Sequence, residues 1–304
     1  MTTGRKEDIV EHLGPDQIVL TSLDRQLSLL GSYASANTST GQTLAAMQTV
    51  LGTLEDQRQA SSSAMLAINE ASTPSQLEET GRIARLGFEA TFEALNTRWG
   101  DQSLFAGNAV TGPALADASD MLADIKATAL GATSATDVAA AVDAWFDTPG
   151  GGFETLAYQG DPTGFMTRPA DQTQDISIEF RADDQMIRDL LKSLAKGALA
   201  GDPTMGLTQA AAQDLQKSAG VNLLSVSSSL AGVQSRLGHL EGQVQDAAVR
   251  IATQKTSFGM ARNDMVSADP FETATQLDAL QVQLETHYAL TARLSRLTLT
   301  EYLR

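Results

Sequence analysis

Residues 223–258 read LLSVSSSLAGVQSRLGHLEGQVQDAAVRIATQKTSF. Apolar side chains recur in this stretch at alternating spacings of three and four residues, and no proline interrupts them. The positions of the pattern are Leu223, Val226, Leu230, Val233, Leu237, Leu240, Val244, Ala247 and Ile251, followed by Gln254 and Phe258. A heptad pattern kept over about five repeats predicts a long helix in coiled-coil-like packing, from about residue 205 to 260. Gly232, Gly238 and Gly242 each weaken this helix by up to ~1 kcal/mol relative to alanine, but leave room for a close neighbouring helix.

The N-terminal part of the chain carries the same spacing. A helical stripe begins at Leu20, Leu23, Leu27 and Leu30, and the polar passage SANTSTGQ follows it. Heptad positions then continue at Leu44, Met47, Leu51, Leu54, Arg58, Ser61, Met65 and Ile68. Because the two segments share one period, we expect their helices to pack along each other.

A new helix starts after residue 72. Thr73 has the character of an N-cap, Pro74 suits the first helical position, and Gln76 completes a capping box. One face of this helix carries Leu77, Ala84, Phe88, Thr91, Leu95 and Trp99. Residues 101–108, DQSLFAGN, should end the helix in a loop or a short hairpin.

The C-terminal segment repeats this start signal. Asp269 is the expected cap, and Glu272 follows three residues later. A helix of about thirty residues is predicted from there to Arg304, because no glycine or proline ends it earlier. Its apolar positions include Leu277, Leu280, Leu284, Tyr288, Leu290, Leu294 and Leu297.

The region between these arms differs in composition, with most of the prolines and the Gly150-Gly151-Gly152 turn. We predict helices at 117–130, 135–146 and 182–200 and strands at 153–158 and 175–180. The fold class expected is therefore mainly α: a long antiparallel helical bundle with a small α/β insert domain. The expected domains are an N-terminal arm (1–111), the insert (112–202), a core helix (203–262) and a terminal helix (263–304).

Composition excludes several classes of function. The 304 residues carry a formal charge of −16, which disfavours nucleic acid as a partner, and contain no cysteine, which rules out disulfides and thiolate metal sites. The N-terminus lacks the apolar core of a secretory signal peptide, and no apolar run is long enough to span a membrane. Location in the cytoplasm is therefore expected unless another export route exists.

The residues also give no indication of catalysis. His12, His239 and His287 are isolated from one another, and the glycines at 150–152 lack the lysine of a phosphate-binding loop. We therefore expect no metal, no cofactor and no enzymatic activity.

Two helix-rich ends around a variable insert, without cysteine, resemble the layout of the flagellin superfamily. Residues 44–107 resemble its first core segment, including a turn with Asn96 and the L-F-x-G sequence Leu104-Phe105-Ala106-Gly107. DPFETA at 269–274 and the ending from Tyr288 to Leu303 resemble its terminal helix. Residues 141–155 and 276–304 look most like the hook–filament junction (hook-associated) proteins of alphaproteobacteria.

The resemblance implies a geometric role: a ring of subunits between hook and flagellin filament, outside the cell after type III export through the flagellar apparatus. The partners implied are copies of itself, the other hook-associated protein, flagellin and a cytoplasmic export chaperone for the C-terminal helix. The implied contact residues on that helix are Leu290, Leu294, Leu297, Leu299, Tyr302 and Leu303.

Members of the superfamily begin with one more helix, ahead of the position that Thr3-Gly4 resembles. The sequence therefore suggests either a start placed too late or a real loss of that helix. In both cases the segment beyond about Tyr288 is expected to project from the bundle and to become ordered only with a partner.

Two other functions remain open. The chain could be a flagellin, although the terminal LTLTEYLR favours the junction protein. A cytoplasmic coiled-coil adaptor, which belongs to a different class, would account for the heptads but not for the LFAG turn.

Overall fold

The computed structural model describes residues 16–109, 111–267 and 270–296. The helices in chain order are α1 (Gln17–Leu66), α2 (Pro74–Leu95), α3 (Ala118–Ala129), α4 (Ala135–Asp147), α5 (Gln185–Ala200), α6 (Gln209–Val266) and α7 (Pro270–Arg296). Two antiparallel hairpins accompany them, β1 (Arg98–Trp99) with β2 (Gln102–Ser103) and β3 (Met166–Pro169) with β4 (Asp175–Ile178). The predicted fold class, a mainly α bundle with a small strand-containing insert, is confirmed.

The chain divides into two compact units, each of which is described by itself below. The larger unit comprises Tyr33–Val249, and the smaller unit comprises Met1–Ser32 with Arg250–Arg304. Both long helices, α1 and α6, contribute to each unit. The four-part division predicted above stays a prediction.

In the larger unit α1 and α6 run antiparallel. Side chains of α1 donate hydrogen bonds to backbone carbonyls of α6: Gln48 to Gln234 at 2.9 Å, Arg58 to Leu223 at 3.1 Å and Ser62 to Gly220 at 3.0 Å. Residue numbers fall on α6 as they rise on α1, which fixes the antiparallel direction. Every predicted heptad position from Leu44 to Met65 on α1 is buried, and so is Ile68, just beyond the end of the helix. On α6 the seam is buried from Leu223 to Val244 except for Leu240, which is partly buried, and Ala247 is buried as well.

The polar passage at 35–42 does not interrupt α1. Threonine hydroxyls there donate to carbonyls four residues earlier in the same helix: Thr38 to Ala34, Thr40 to Ala36 and Thr43 to Ser39. The hydroxyls are satisfied locally, so the helix continues through a sequence that alone would favour turns.

Helix α2 begins as predicted and ends earlier than predicted. Thr73 and Gln76 form the reciprocal capping box, with the Thr73 N–H donating to Gln76 Oε1 at 2.8 Å and the Gln76 N–H donating to Thr73 Oγ1 at 3.4 Å. The helix stops at Leu95, so the placement of Trp99 on its buried face was wrong. Arg98 and Trp99 instead form strand β1 of a hairpin whose turn includes Gly100, at a φ of 59°.

The insert confirms the predicted helices and corrects one strand. Helices α3, α4 and α5 start at the side-chain caps Asp117, Ser134 and Asp184, and β4 occupies most of the second predicted strand. The first predicted strand, 153–158, is wrong, because Phe153–Ala157 forms a π-helical turn. The Phe153 ring lies against Trp145 and Phe146, so burial of this aromatic side chain outweighs local strand preference.

The LFAG turn joins the helical arm to the insert. Phe105 O accepts from the Ala182 N–H and Ala106 O accepts from the Asp161 N–H, both at 2.9 Å. Gly107 has a φ of 64°, and a Cβ atom there would lie 2.7 Å from two backbone oxygens of the insert. Only glycine fits this close approach without strain.

The smaller unit contains the beginning of α1, the end of α6 and α7. Arg262 Nε donates to Asp24 Oδ1 at 2.6 Å, which places the end of α6 beside the beginning of α1. Leu30, Ile251 and Val266 are buried, and they are the core positions of this unit among the residues that the structure describes.

Candidate assembly surface

Helix α7 carries the predicted contact residues. It spans Pro270–Arg296 and is helical as expected, while its predicted cap Asp269 lies outside the described residues. Leu290 and Leu294 lie on this helix and are 52% and 67% exposed. The other predicted contact residues, Leu297, Leu299, Tyr302 and Leu303, also lie outside the described residues.

The apolar side chains of α7 are exposed along the whole helix. Besides the two leucines just named, they are Phe271, Leu277, Leu280, Val282, Leu284 and Tyr288. Burial of one such side chain contributes roughly 1.5–3 kcal/mol. A partner that covered several of them would therefore bind with a substantial apolar contribution.

Part of this apolar surface forms one continuous stripe. Positions 277, 280, 284, 287, 291 and 294 alternate in spacing between three and four and lie on one face of the helix. Four of them are leucines, and the other two are His287 and Thr291. We call these six positions the α7 stripe. Leu290 lies off it on a flank of the helix, and Val282 lies on the opposite face.

Three threonine hydroxyls of α7 find their hydrogen-bond partners within the helix. Thr275, Thr286 and Thr291 each donate a hydroxyl hydrogen bond, at 2.7–2.9 Å, to the carbonyl four residues earlier. Since these groups are satisfied inside the helix, the stripe offers a partner mainly apolar contact.

Other apolar side chains of the smaller unit are also exposed, and sequence reasoning did not single them out. Ile18, Val19 and Leu29 of α1 and Met260 of α6 are in this group. The leucine stripe of α1 was recognised, but its neighbours Ile18 and Val19 fall outside its period. No signal in the sequence pointed to their exposure, which only the structure shows.

Some titratable groups of the larger unit take part in its internal contacts. Arg58, buried on the α1 seam, forms a two-pronged ion pair with Glu55, at 2.6 and 2.7 Å. The hydrogen bond from Arg58 lowers the pKa of the Glu55 carboxyl, against the opposing effect of burial. Burial also raises the pKa of the Tyr158 phenol, whose hydroxyl donates to the carbonyl of Asp161.

One groove of the larger unit is lined by cations that are already paired. It encloses about 620 Å³ between α2, α3 and the end of α5. Arg82 pairs with Glu79, Arg85 pairs with Glu89, and Lys126 pairs with Asp202. Within the described parts of the chain, no three His, Asp or Glu side chains come close enough to hold a metal ion. His239 contacts Gln243 of its own helix, Nε2 to Nε2 at 2.8 Å.

None of the described helices is both long and apolar enough to cross a membrane.

The α7 stripe lies in a segment of the chain that matches a known protein family. Residues 225–303, which include the α6 seam from Val226 onward and all of α7, match the bacterial flagellin C-terminal helical region. The resemblance to the flagellin superfamily is thereby confirmed for this part of the chain.

Two solved structures are similar to the chain. One is described as a flagellar hook-associated protein from Vibrio parahaemolyticus, with 12% identity, a TM-score of 0.49, and coverage of 82% of this chain and 99% of that one. The other is FlgL of Bacillus cereus, with 12% identity, a TM-score of 0.46, and coverage of 79% and 98%. No curated protein sequence matches the chain.

Proposed function

We propose that this chain is a non-catalytic structural subunit of the bacterial flagellum, a hook-associated protein that joins the hook to the flagellin filament. The observation that carries the proposal is the coincidence of two features on one segment. Residues 225–303 match the flagellin C-terminal helical region, and α7 inside it presents an uncovered apolar stripe.

The proposed role is mechanical. The stripe positions 277, 280, 284 and 294 would pack against helices of neighbouring subunits, since heptad-spaced leucines fit the holes of a facing helix. The partners proposed are further copies of this chain, the second hook-associated protein and flagellin. An export chaperone would cover the same stripe, together with Leu290, before type III export to the cell exterior.

A second candidate is a flagellin filament subunit, because the family region matched is that of flagellin itself. A cytoplasmic coiled-coil adaptor stays the alternative from another class. Flagellin would polymerise alone into long filaments, whereas a junction subunit would assemble only on hook or filament ends. A coiled-coil adaptor would neither form filaments nor assemble on hook or filament ends.

The test is complementation of motility in a bacterium that lacks its hook–filament junction subunit. The chain should restore filament attachment, and Leu284→Asp or Leu294→Asp should abolish it. The matched control is Ala289→Asp, an exposed position on the opposite face of α7. Equal motility of the stripe variants and the control would contradict the role of the stripe. Filaments formed by the purified chain alone would favour flagellin instead.

A further inference from the structure

Asn37 is a buried polar side chain on the α1 seam. It lies seven residues before Leu44, in the same heptad register, and is 3% exposed. Among the residues that the structure describes, Asn37 alone has both polar side-chain atoms, Oδ1 and Nδ2, buried without a hydrogen-bond partner. Buried amides are nearly always paired, so this exception requires a physical explanation.

Other polar side chains on this side of α1 do find partners on α6. Gln48, Arg58 and Ser62 each donate to a backbone carbonyl of α6, at 2.9–3.1 Å. These bonds hold the register of the two helices from residue 48 onward. Asn37 belongs to the same helix and the same seam, but its amide makes no hydrogen bond to α6.

The buried side chains of α6 near Asn37 are apolar, and the amide bonds neither to them nor to the α6 backbone. A Cβ atom on Gly41 would lie 3.9 Å from Val244 Cγ1, so the antiparallel register places Asn37 near the next turn of α6, toward Ala247. Val244 and Ala247 are both buried and have apolar side chains. Neither side chain can accept or donate a hydrogen bond to the amide.

We propose that Asn37 makes the adjoining turns of the α1–α6 pair, residues 35–43 with 241–248, a point of local opening. In the closed pair the amide is shielded from bulk solvent, and no protein group bonds to either of its polar atoms. When these turns separate, water hydrates it again, so the open state gains stability relative to the closed one. The seam from Leu44 onward, fastened by its apolar contacts and by the bonds of Gln48, Arg58 and Ser62, stays closed.

Native-state hydrogen exchange on the full chain tests the proposal. Amides of residues 35–43 should open at least tenfold more often than those of residues 47–54. Asn37→Leu, which is close to isosteric, should slow exchange of residues 35–43 about tenfold or more. The matched control is Asn222→Leu, the same chemical change on an exposed position of α6, which should leave residues 35–43 unaffected.

Two results would overturn the proposal. The first is equal protection of residues 35–43 and 47–54 in the unaltered protein, which needs no variant at all. The second is unchanged or faster exchange of residues 35–43 in Asn37→Leu, because the amide would then be satisfied in the closed state, for example by a buried water.

Discussion

Gly81 of α2 and Gly201 at the end of α5 lie in direct backbone contact. A Cβ atom on Gly81 would lie 2.5 Å from Gly201 Cα, and a Cβ atom on Gly201 would lie 2.5 Å from Gly81 Cα. No side chain fits between the two backbones. The backbone of α2 and the backbone at the end of α5 are therefore in van der Waals contact at this point. The bond from Gln216 Nε2 to Leu77 O, at 2.8 Å, fastens α6 to the same region of α2.

This contact predicts that Gly81→Ala destabilises the protein, although alanine is the better helix former. The added methyl group must push α2 away from α5, and overpacking of this kind costs about 1–3 kcal/mol. Gly52→Ala is the control, because nothing lies within 4 Å of its Cβ position. The control should gain about 0.5–1 kcal/mol. Thermal unfolding of both variants measures the difference, and a stabilised Gly81→Ala would contradict the backbone contact.

The heptad packing predicts a severe effect of Leu237→Asp. Leu237 is 2% exposed on the α6 seam, and an unpaired carboxylate there costs several kcal/mol. Leu224→Asp makes the same change on the exposed side of the same helix, where Leu224 is 52% exposed, and should have little effect. Urea unfolding followed by circular dichroism separates the two. A urea midpoint of Leu237→Asp equal to that of the unaltered protein would contradict burial of this position in the seam.

The Glu55–Arg58 pair predicts a pH-dependent contribution to stability. Because the pKa of Glu55 is lowered in the folded protein, its contribution is fully present above the unfolded pKa of about 4.3 and is lost as the pH falls through the folded pKa. Glu55→Gln should therefore cost about 1 kcal/mol at pH 7 and progressively less below about pH 4.

The control for this prediction is Asp56→Asn, which removes one exposed carboxylate from the next position of α1. A difference between Glu55→Gln and Asp56→Asn that does not shrink in acid would argue against the ion pair as its source.

The capping box predicts the effect of Thr73→Val. Loss of the hydroxyl leaves the Gln76 N–H without its side-chain acceptor and should cost about 1 kcal/mol of stability. Thr49→Val, at an exposed position inside α1 where the hydroxyl bonds only its own helix, serves for comparison. Equal unfolding midpoints in denaturant would show that the cap contributes nothing.

The exposed α7 stripe predicts rapid hydrogen exchange in the dilute, unassembled protein. Helices in water that lack tertiary contacts are marginal even at this length, so amides of residues 284–294 should exchange far faster than those of the α6 seam. Addition of flagellin or hook-associated subunits should slow their exchange. Strong protection of residues 284–294 from exchange in a dilute monomer would contradict this prediction, because α7 would then be stable without a partner.

Much of the fold could be predicted from the sequence, because the signals involved are local. The capping box at Thr73 and Gln76 lies within one helical turn, and both residues occupy their predicted roles. The seam from Leu223 to Ala247 needed only its period, since spacings of three and four place side chains on one face. The stripe leucines of α7 were all among the apolar positions predicted for the terminal helix. Leu290 and Leu294 are exposed in the structure, and their role as contact residues stays a prediction.

Only the tertiary structure decided the features that depend on distant segments. Phe153 left its predicted strand because Trp145 and Phe146 form the apolar surface against which its turn packs. The packing neighbours of Gly81 and of Gly41 could not be predicted from the local sequence, since Gly201 and Val244 lie far along the chain. Periodicity fixes which face of a helix is buried. The contacts of that face depend on which helix lies opposite and in what register, and these are set by the whole packed core.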